Sequence, residues 1–291
     1  MKPTTKLRIL IPKGRIFENI GALFAEAGLP LKLADRTYRP VIGEGEGGGQ
    51  FEAKIMKPQN VGTLLEIGAH DCGFTGIDWI TESGADVVEV LDLGLDKVQI
   101  VAACPLSLDD RALTAKKITA ATEYVNLADR WLSTKGYDYR VLRTYGATEV
   151  FPPDDADIII DNTATGQTLK DNGLRVIDTL LESSTRFVAS REAMADAARR
   201  KQIETLAMLF RAVLEGRDKV MLEMNVSTEA FAALVEGLPA MRSPTISPLY
   251  KDSGYAVKIA VKKSEAPALI PRLKALGATD IVEYELRKVI P

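Results

Sequence analysis

The chain has 291 residues, enough for two or three domains. Its 46% apolar and 26% charged residues are the balance of a folded globular protein. A net charge of −3 gives no reason to expect nucleic acid or an acidic membrane surface as a partner, and no run of about 18 apolar residues offers a transmembrane helix.

Met1 to Lys6 is short and polar, so no secretory leader is expected and the cytoplasm is the expected compartment. Leu7 to Ile11 reads as a strand and Pro12-Lys13-Gly14-Arg15 as a turn. Ile16, Ile20, Leu23 and Phe24 then recur at helical spacing up to Gly28. Lys13 and Arg15 thus stand at the C-terminal end of a first strand, where open α/β sheets bind ligands. Two cations on a glycine turn suit a pyrophosphate or triphosphate; they also suit a solvated turn. Leu31 to Leu33 is a short strand, followed by Arg36 and Arg39. Ile42 to Gln50 is glycine-rich and acidic, a loop rather than a dinucleotide fingerprint.

Phe51 to Met56 reads as a strand and Val61 to Ile67 as a short helix. His70, the single histidine, excludes a multi-histidine metal site and reads as a solvated loop residue rather than a base. Cys72 and Cys104 have no metal spacing and make no disulfide framework. Asp71 to Glu82 gives strand, glycine turn and helix, with Gly73 and Gly76 permitting close backbone approach and Asp78 placed to cap the helix at Trp79. Val87 to Leu91, a turn at Asp92 to Lys97, and Val98 to Ala103 read as a segment crossing between lobes. A second α/β unit follows, with a helix around Tyr124, Leu127 and Trp131 and a strand at Arg140 to Leu142. Tyr145-Gly146-Ala147-Thr148-Glu149-Val150 turns into a helix start, where Glu149 is either a cap or a site-facing acid.

Asp157 to Asp161 is a short apolar run that suits a buried parallel strand. Thr163-Ala164-Thr165-Gly166-Gln167-Thr168 adds three hydroxyls and a glycine, and Leu174, Ile177, Leu180 and Leu181 then fall at helical spacing. A helix start converges several N–H donors on one point, as a phosphate requires. Asp161 ends the strand beside that point; Asp157 begins it, about 13 Å away at strand rise, and cannot share the site. An acid followed by a hydroxyl-rich turn suits a sugar phosphate: carboxylate to ribose hydroxyls, turn to phosphate. The plain alternative is a strand–loop–helix connection with a threonine N-cap.

Arg186 to Ser190 is a further strand, and the helix from Gln202 to Glu215 ends at Gly216. Beyond it the order is strand, helix, a proline-punctuated extended segment Arg242 to Leu249, strand, helix, strand. This is the βαββαβ order of a ferredoxin-like domain.

The stretch ADIIIDNTATGQTLKDNGL resembles the phosphoribosyl-pyrophosphate loop of the ATP phosphoribosyltransferase family. So do IPKGRI, the acid-glycine-threonine-glycine-acid pattern ending at Asp78, the GATE segment at Glu149, and PTISPL, which is similar to a segment of the family's long form. Asn60 and Asp96 depart from the family pattern, which has aspartate and glycine there. The resemblance implies an α/β fold. Its catalytic core would be two-lobed and like a periplasmic binding protein, with lobe I at 1–105 and 187–216 and lobe II at 106–186. A ferredoxin-like, ACT-like regulatory domain would occupy 217–291. It implies displacement at the anomeric carbon of phosphoribosyl pyrophosphate by N1 of ATP, with Mg2+, giving phosphoribosyl-ATP and pyrophosphate in the first step of histidine biosynthesis. By the same resemblance, Lys13, Arg15, Glu149 and Asp161 are catalytic. Asp161, Thr163, Ala164, Thr165, Gly166, Gln167 and Thr168 hold phosphoribosyl pyrophosphate. Arg36, Gly76 and Asp78 face the nucleotide, and no protein metal ligands are assigned. Histidine is expected as inhibitor at Ser243, Thr245, Ser247 and Ala278, in a homo-oligomer between dimer and hexamer. Rival readings are a two-lobe solute-binding protein, a phosphoribosyltransferase with another acceptor, a catalytically dead regulatory paralogue, and, for the C-terminal domain, a purely oligomerising role.

Overall fold

A computed structural model describes residues 6–33, 37–43, 50–238 and 244–290; Arg36 and Ser243 lie outside the described residues. The chain divides into two units, Met1–Ala207 and Met208–Pro291.

In the first unit β1 (Leu7–Pro12) leads through a glycine turn to α1 (Arg15–Ala27). A two-stranded ribbon, β2 (Leu31–Lys32) with β3 (Val41–Ile42), precedes β4 (Phe51–Met56) and α2 (Val61–Glu66). β5 (Cys72–Gly76) and α3 (Ile77–Ser83) follow. The long strand β6 (Val87–Pro105) then crosses into a second half made of α4 (Asp110–Thr114), β7 (Ile118–Thr122), α5 (Val125–Lys135) and β8 (Tyr139–Arg143). That half continues through β9 (Ile158–Thr163) and α6 (Gln167–Asp171). The return strand β10 (Leu174–Ser190) is followed by α7 (Arg191–Ala195) and α8 (Ala197–Asp218), which carries the chain onward.

Among the described residues these strands make one mixed sheet in the order β4-β1-β5-β10-β6-β9-β7-β8. β1, β4 and β5 run parallel, as do β7, β8 and β9. β6 and β10 are antiparallel partners from Leu174↔Pro105 to Ser190↔Val87. β10 gives its C-terminal part to β5, and β6 gives its C-terminal part to β9. Each lobe is therefore a parallel sheet completed by one end of the same crossing pair. The strand cores are continuous apolar runs because both faces are covered: Leu7, Ile9, Leu10 and Ile158 to Ile160 are all fully buried. No helix among the described residues is long and apolar enough to cross a membrane.

Three sequence expectations change here. The residues from Leu174 onward form β10, not a helix. Register slips between Val176 and Asp178 and between Thr179 and Leu181 insert extra residues into the two-residue alternation. The inward-facing Ile177, Leu180 and Leu181 thus acquire helix-like spacing while packing as strand residues on the lobe II core. The turn expected at Asp92 to Lys97 is an irregular stretch inside β6, with Gly94 and Asp96 at positive φ. The helix expected to stop at Gly216 runs on to Asp218.

The second unit contains β11 (Lys219–Val226), α9 (Thr228–Glu236), β12 (Thr245–Pro248), β13 (Tyr255–Lys262), α10 (Ala266–Ala275) and β14 (Ala278–Glu285). Its antiparallel sheet has the order β12-β13-β11-β14, the ferredoxin-like arrangement. Val220, Leu222, Met224, Val257, Ile259 and Val261 alternate inward onto Leu234, Leu269 and Leu273 of the two helices.

Candidate active site

A cavity of about 540 Å³ lies where the C-terminal ends of β1, β5 and β9 face the crossing strands. Its lobe II wall is the β9–α6 turn. Asp161, Thr163, Ala164, Thr165, Gln167 and Thr168 line it, and Gly166 completes the turn between them. The threonine cap of the plain alternative is absent. Gly166 takes the N-cap position at φ 74°, and Thr163 Oγ1 instead accepts its N–H at 2.9 Å, closing the turn from within. Asp161 Oδ1 accepts from the backbone N–H of Asn162 at 2.7 Å and from Asn162 Nδ2 at 3.2 Å. Burial pushes the Asp161 carboxyl up to about 6 against these hydrogen bonds and one from Thr148; the nearby Glu149 and Glu123 push the same way. Glu149 lines the same cavity from a 3-10 turn at Thr148–Val150, short of the expected α-helix start.

The lobe I wall carries Arg15, Gly76, Asp78 and Trp79. Arg15 opens α1 and is 80% exposed, with Nε 3.5 Å from Asp96 Oδ1. Lys13 is exposed on the preceding turn and does not line the cavity. Asp78 is not a helix cap: Gly76 holds the N-cap position of α3, without a side-chain cap. The Asp78 carboxylate instead accepts from Tyr124 Oη at 2.8 Å and from Ser183 Oγ at 2.6 Å. A side chain at Gly76 would put its Cβ 1.9 Å from Asp78 Oδ1, so the glycine is what lets this carboxylate fold back.

Sequence reasoning missed Tyr124, Ser183, Asn162 and Asp96. Tyr124 read as part of a helix with Leu127 and Trp131, and nothing singled out Ser183; only the fold brings them to Asp78. Asp96, at φ 50°, accepts from Asn19 Nδ2 at 2.7 Å and from Thr185 Oγ1 at 3.2 Å. Aspartate tolerates the left-handed region where a glycine is the easier choice, so the departure at this position keeps the turn and adds a carboxylate. Asn60 precedes α2 without a side-chain cap. His70 is half-buried rather than solvated, and its Nδ1 has no hydrogen-bond partner.

In the second unit Thr245 and Ser247 lie exposed on edge strand β12, sharing a face with Lys258 and Ala256. Ala278 does not join them. It begins β14 at the opposite edge, buried against the core, and three strand spacings put it on the order of 14 Å away. The ferredoxin-like order itself separates its second and fourth strands. No cluster of three or more His, Cys, Asp or Glu groups suited to a metal exists among the described residues.

Residues 57–212 match the family model "HisG: ATP phosphoribosyltransferase", and residues 216–288 match "HisG, C-terminal domain". The ATP phosphoribosyltransferase of Thermodesulfovibrio yellowstonii is 40% identical over 98% of both chains. That of Desulforudis audaxviator is 39% identical over 98% of this chain and all of its own. Among solved structures, the ATP phosphoribosyl transferase (HisG:HisZ) complex from Thermotoga maritima aligns with a TM-score of 0.61 at 25% identity, covering 70% of this chain and 98% of that one. The chain belongs to the ATP phosphoribosyltransferase family, the pentosyltransferases of histidine biosynthesis, in the long form that carries the C-terminal domain.

Proposed function

We propose that the inter-lobe cavity is where ATP attacks phosphoribosyl pyrophosphate, with the sugar phosphate on the β9–α6 wall and the nucleotide against lobe I. The observation that carries this is Asp161. It is a half-buried carboxylate with no cation within ion-pair reach among the described residues, beside a hydroxyl-rich turn, in a cavity lined by both lobes. Asp161 accepts hydrogen bonds from the ribose hydroxyls, and the Thr163 to Thr168 turn surrounds the 5′-phosphate. N1 of adenine is already a nucleophile, so no strong base is required. It displaces pyrophosphate at the anomeric carbon, and positive charge grows on the ring oxygen and C1. Asp161 and Glu149 stabilise that charge from one side, and Arg15 meets the departing negative charge from the other. Gly76 and Asp78 shape the nucleotide side of the cavity. Lys13, which stands outside the cavity, contributes only at longer range.

Magnesium fits this wall in the way it commonly binds phosphate substrates, through one or two carboxylates plus phosphate oxygens and water. Asp161 and Glu149 are hard oxygen donors that line one cavity, and they are the residues that would hold it. When bound, the ion neutralises pyrophosphate charge.

Histidine binding in the second unit, at Ser243, Thr245 and Ser247, remains the reading for inhibition, without Ala278 of the same copy. A homo-oligomer, dimer to hexamer, is the corresponding assembly. An inhibitor there must bind two states unequally to act at a distance. Calorimetry with histidine on the full chain should show binding that Thr245→Val weakens; no heat at millimolar histidine defeats this part alone. The catalytic reading is tested by mixing the protein with ATP, phosphoribosyl pyrophosphate and Mg2+. Phosphoribosyl-ATP should appear by mass, and its absence from a folded sample overturns the reading.

A further inference from the structure

One face of α3 is fastened across the cleft. Asp78 and Glu82 stand one helical turn apart and so share that face. Glu82 accepts from the backbone N–H groups of Asn126 at 2.9 Å and Leu127 at 2.8 Å, capping the start of α5 from the opposite lobe. Between them Trp79 stacks on Tyr124 with ring centroids 4.4 Å apart. Tyr124 is 1% exposed, which leaves it almost no surface for a ligand. Its hydroxyl gives its one proton to Asp78 and accepts from Asn162 Nδ2 at 3.3 Å. Asn162 Nδ2 is also 3.2 Å from Asp161 Oδ1.

The polarity of this chain is fixed by the donors available. A phenol has one proton, and the carboxylate of Asp78 can only accept it, so the phenol oxygen is left as an acceptor. The Asn162 amide nitrogen has two protons and two acceptors, Tyr124 and Asp161. Burial and the neighbouring Asp78 raise the Tyr124 phenol far above its ordinary range, so it stays protonated throughout the working pH range.

We propose that Tyr124 is a positioning residue of the transferase reaction: held by Asp78 of lobe I, it orients the Asn162 amide, which sets the direction of the Asp161 carboxylate in lobe II. The sugar-binding acid is thereby correctly aimed when the two lobes are clasped through α3 and α5. This rests on the assignment of Asp161 to the ribose.

The test is steady-state kinetics of the full chain carrying Tyr124→Phe, which keeps the ring against Trp79 and removes only the oxygen. The expected result is a roughly tenfold lower kcat with KM for both substrates within about twofold. Asn162→Ala should reproduce the loss of kcat with KM held, and the double variant should fall no further than the worse single one, since the two act in series. Unchanged kcat in folded Tyr124→Phe, a loss carried by KM instead of kcat, or losses that add, overturn the proposal. If Tyr124→Phe does not fold, the same cycle is run with Asp78→Ala, which removes the phenol's acceptor, and is judged on kcat alone because Asp78 also borders the nucleotide side of the cavity. Asp161→Asn separates the two levels. If it is impaired while Tyr124→Phe is not, only the positioning role fails; if it is fully active, the ribose assignment fails as well.

Discussion

Two aspartates bracket β9 and have opposite electrostatic characters. Asp157, just before the strand, pairs with Lys116 Nζ at 2.5 Å and accepts the Thr119 backbone N–H at 2.8 Å. Burial alone would raise its carboxyl, but these partners, with the more distant Arg140, hold it below the ordinary aspartate range. Asp161, at the other end, has hydrogen-bond donors but no cation, and burial carries it up to about 6. The same strand therefore begins on a carboxylate whose bonding capacity is spent on the fold and ends on one kept for a ligand. Charge on a partly desolvated acid with no cation costs stability, and active sites are where such costs persist.

The comparison breaks most sharply at Asp161. Asp161→Asn should lower kcat/KM by tenfold or more, because a charged acceptor of ribose hydroxyls is lost and such bonds contribute about 1.5–3 kcal/mol. The same variant should be more stable than the parent at pH 7, by about 1 kcal/mol after solvent screening of a half-buried group, because a partly desolvated charge without a cation is removed. Thermal unfolding beside steady-state kinetics reads both. A variant that is less stable and fully active would reverse the contrast.

The pH dependence sharpens it, because the two acids have opposite signs. A carboxyl raised in the folded state binds protons there more readily than in the unfolded chain. The contribution of Asp161 to stability is thus fully present below its ordinary value of 3.8 and is lost as pH rises through about 6. Asp157 is lowered, so its contribution is present above the ordinary range and lost as pH falls through its depressed folded value. Activity, which needs Asp161 ionised, should fall several-fold below pH about 6, and a pH–rate profile without an acid limb there would contradict the assignment.

Asp157→Ala should cost about 1–2 kcal/mol, since a partly buried backbone N–H loses its acceptor while the lysine remains solvated. Activity per folded molecule should hold, measured after correction for the folded fraction. Asp96→Gly should have the smallest effect. Relief of a non-glycine residue at positive φ offsets the loss of the bonds from Asn19 and Thr185, leaving stability within about 1 kcal/mol. A larger change in denaturant midpoint would mean that one side of this balance dominates.

Much of lobe II was legible because its signals are local. The run Ile158 to Ile160 identifies a covered strand by composition, and Asp161 with the threonine turn follows directly in sequence. The alternation in β11 and β13 likewise exposes the second unit. β10 was not legible at its start, because bulges hide the strand period behind a helical one. Asp78 was placed near the site, but the cap it could have made is not formed: a first-turn aspartate looks like a cap until its partners, Tyr124 and Ser183, are known.

The sequence by itself determined most of the order of elements, with the start of β10 excepted, the family resemblance and the chemical types at the turn after β9. Backbone propensity, apolar period and glycine punctuation act over a few residues, so they can be read from the chain alone. The tertiary structure alone decided which side chains share a site. Residues 78, 124, 162 and 183 converge only because β6 and β10 fold the second lobe back against the first. It also decided that Ala278 lies at the far edge of its sheet from Thr245 and Ser247, and that of two aspartates four residues apart one is neutralised by Lys116 and the other is not. Electrostatic character and ligand geometry depend on which distant groups arrive within a few ångströms, and the long-range pairing of strands sets that arrival.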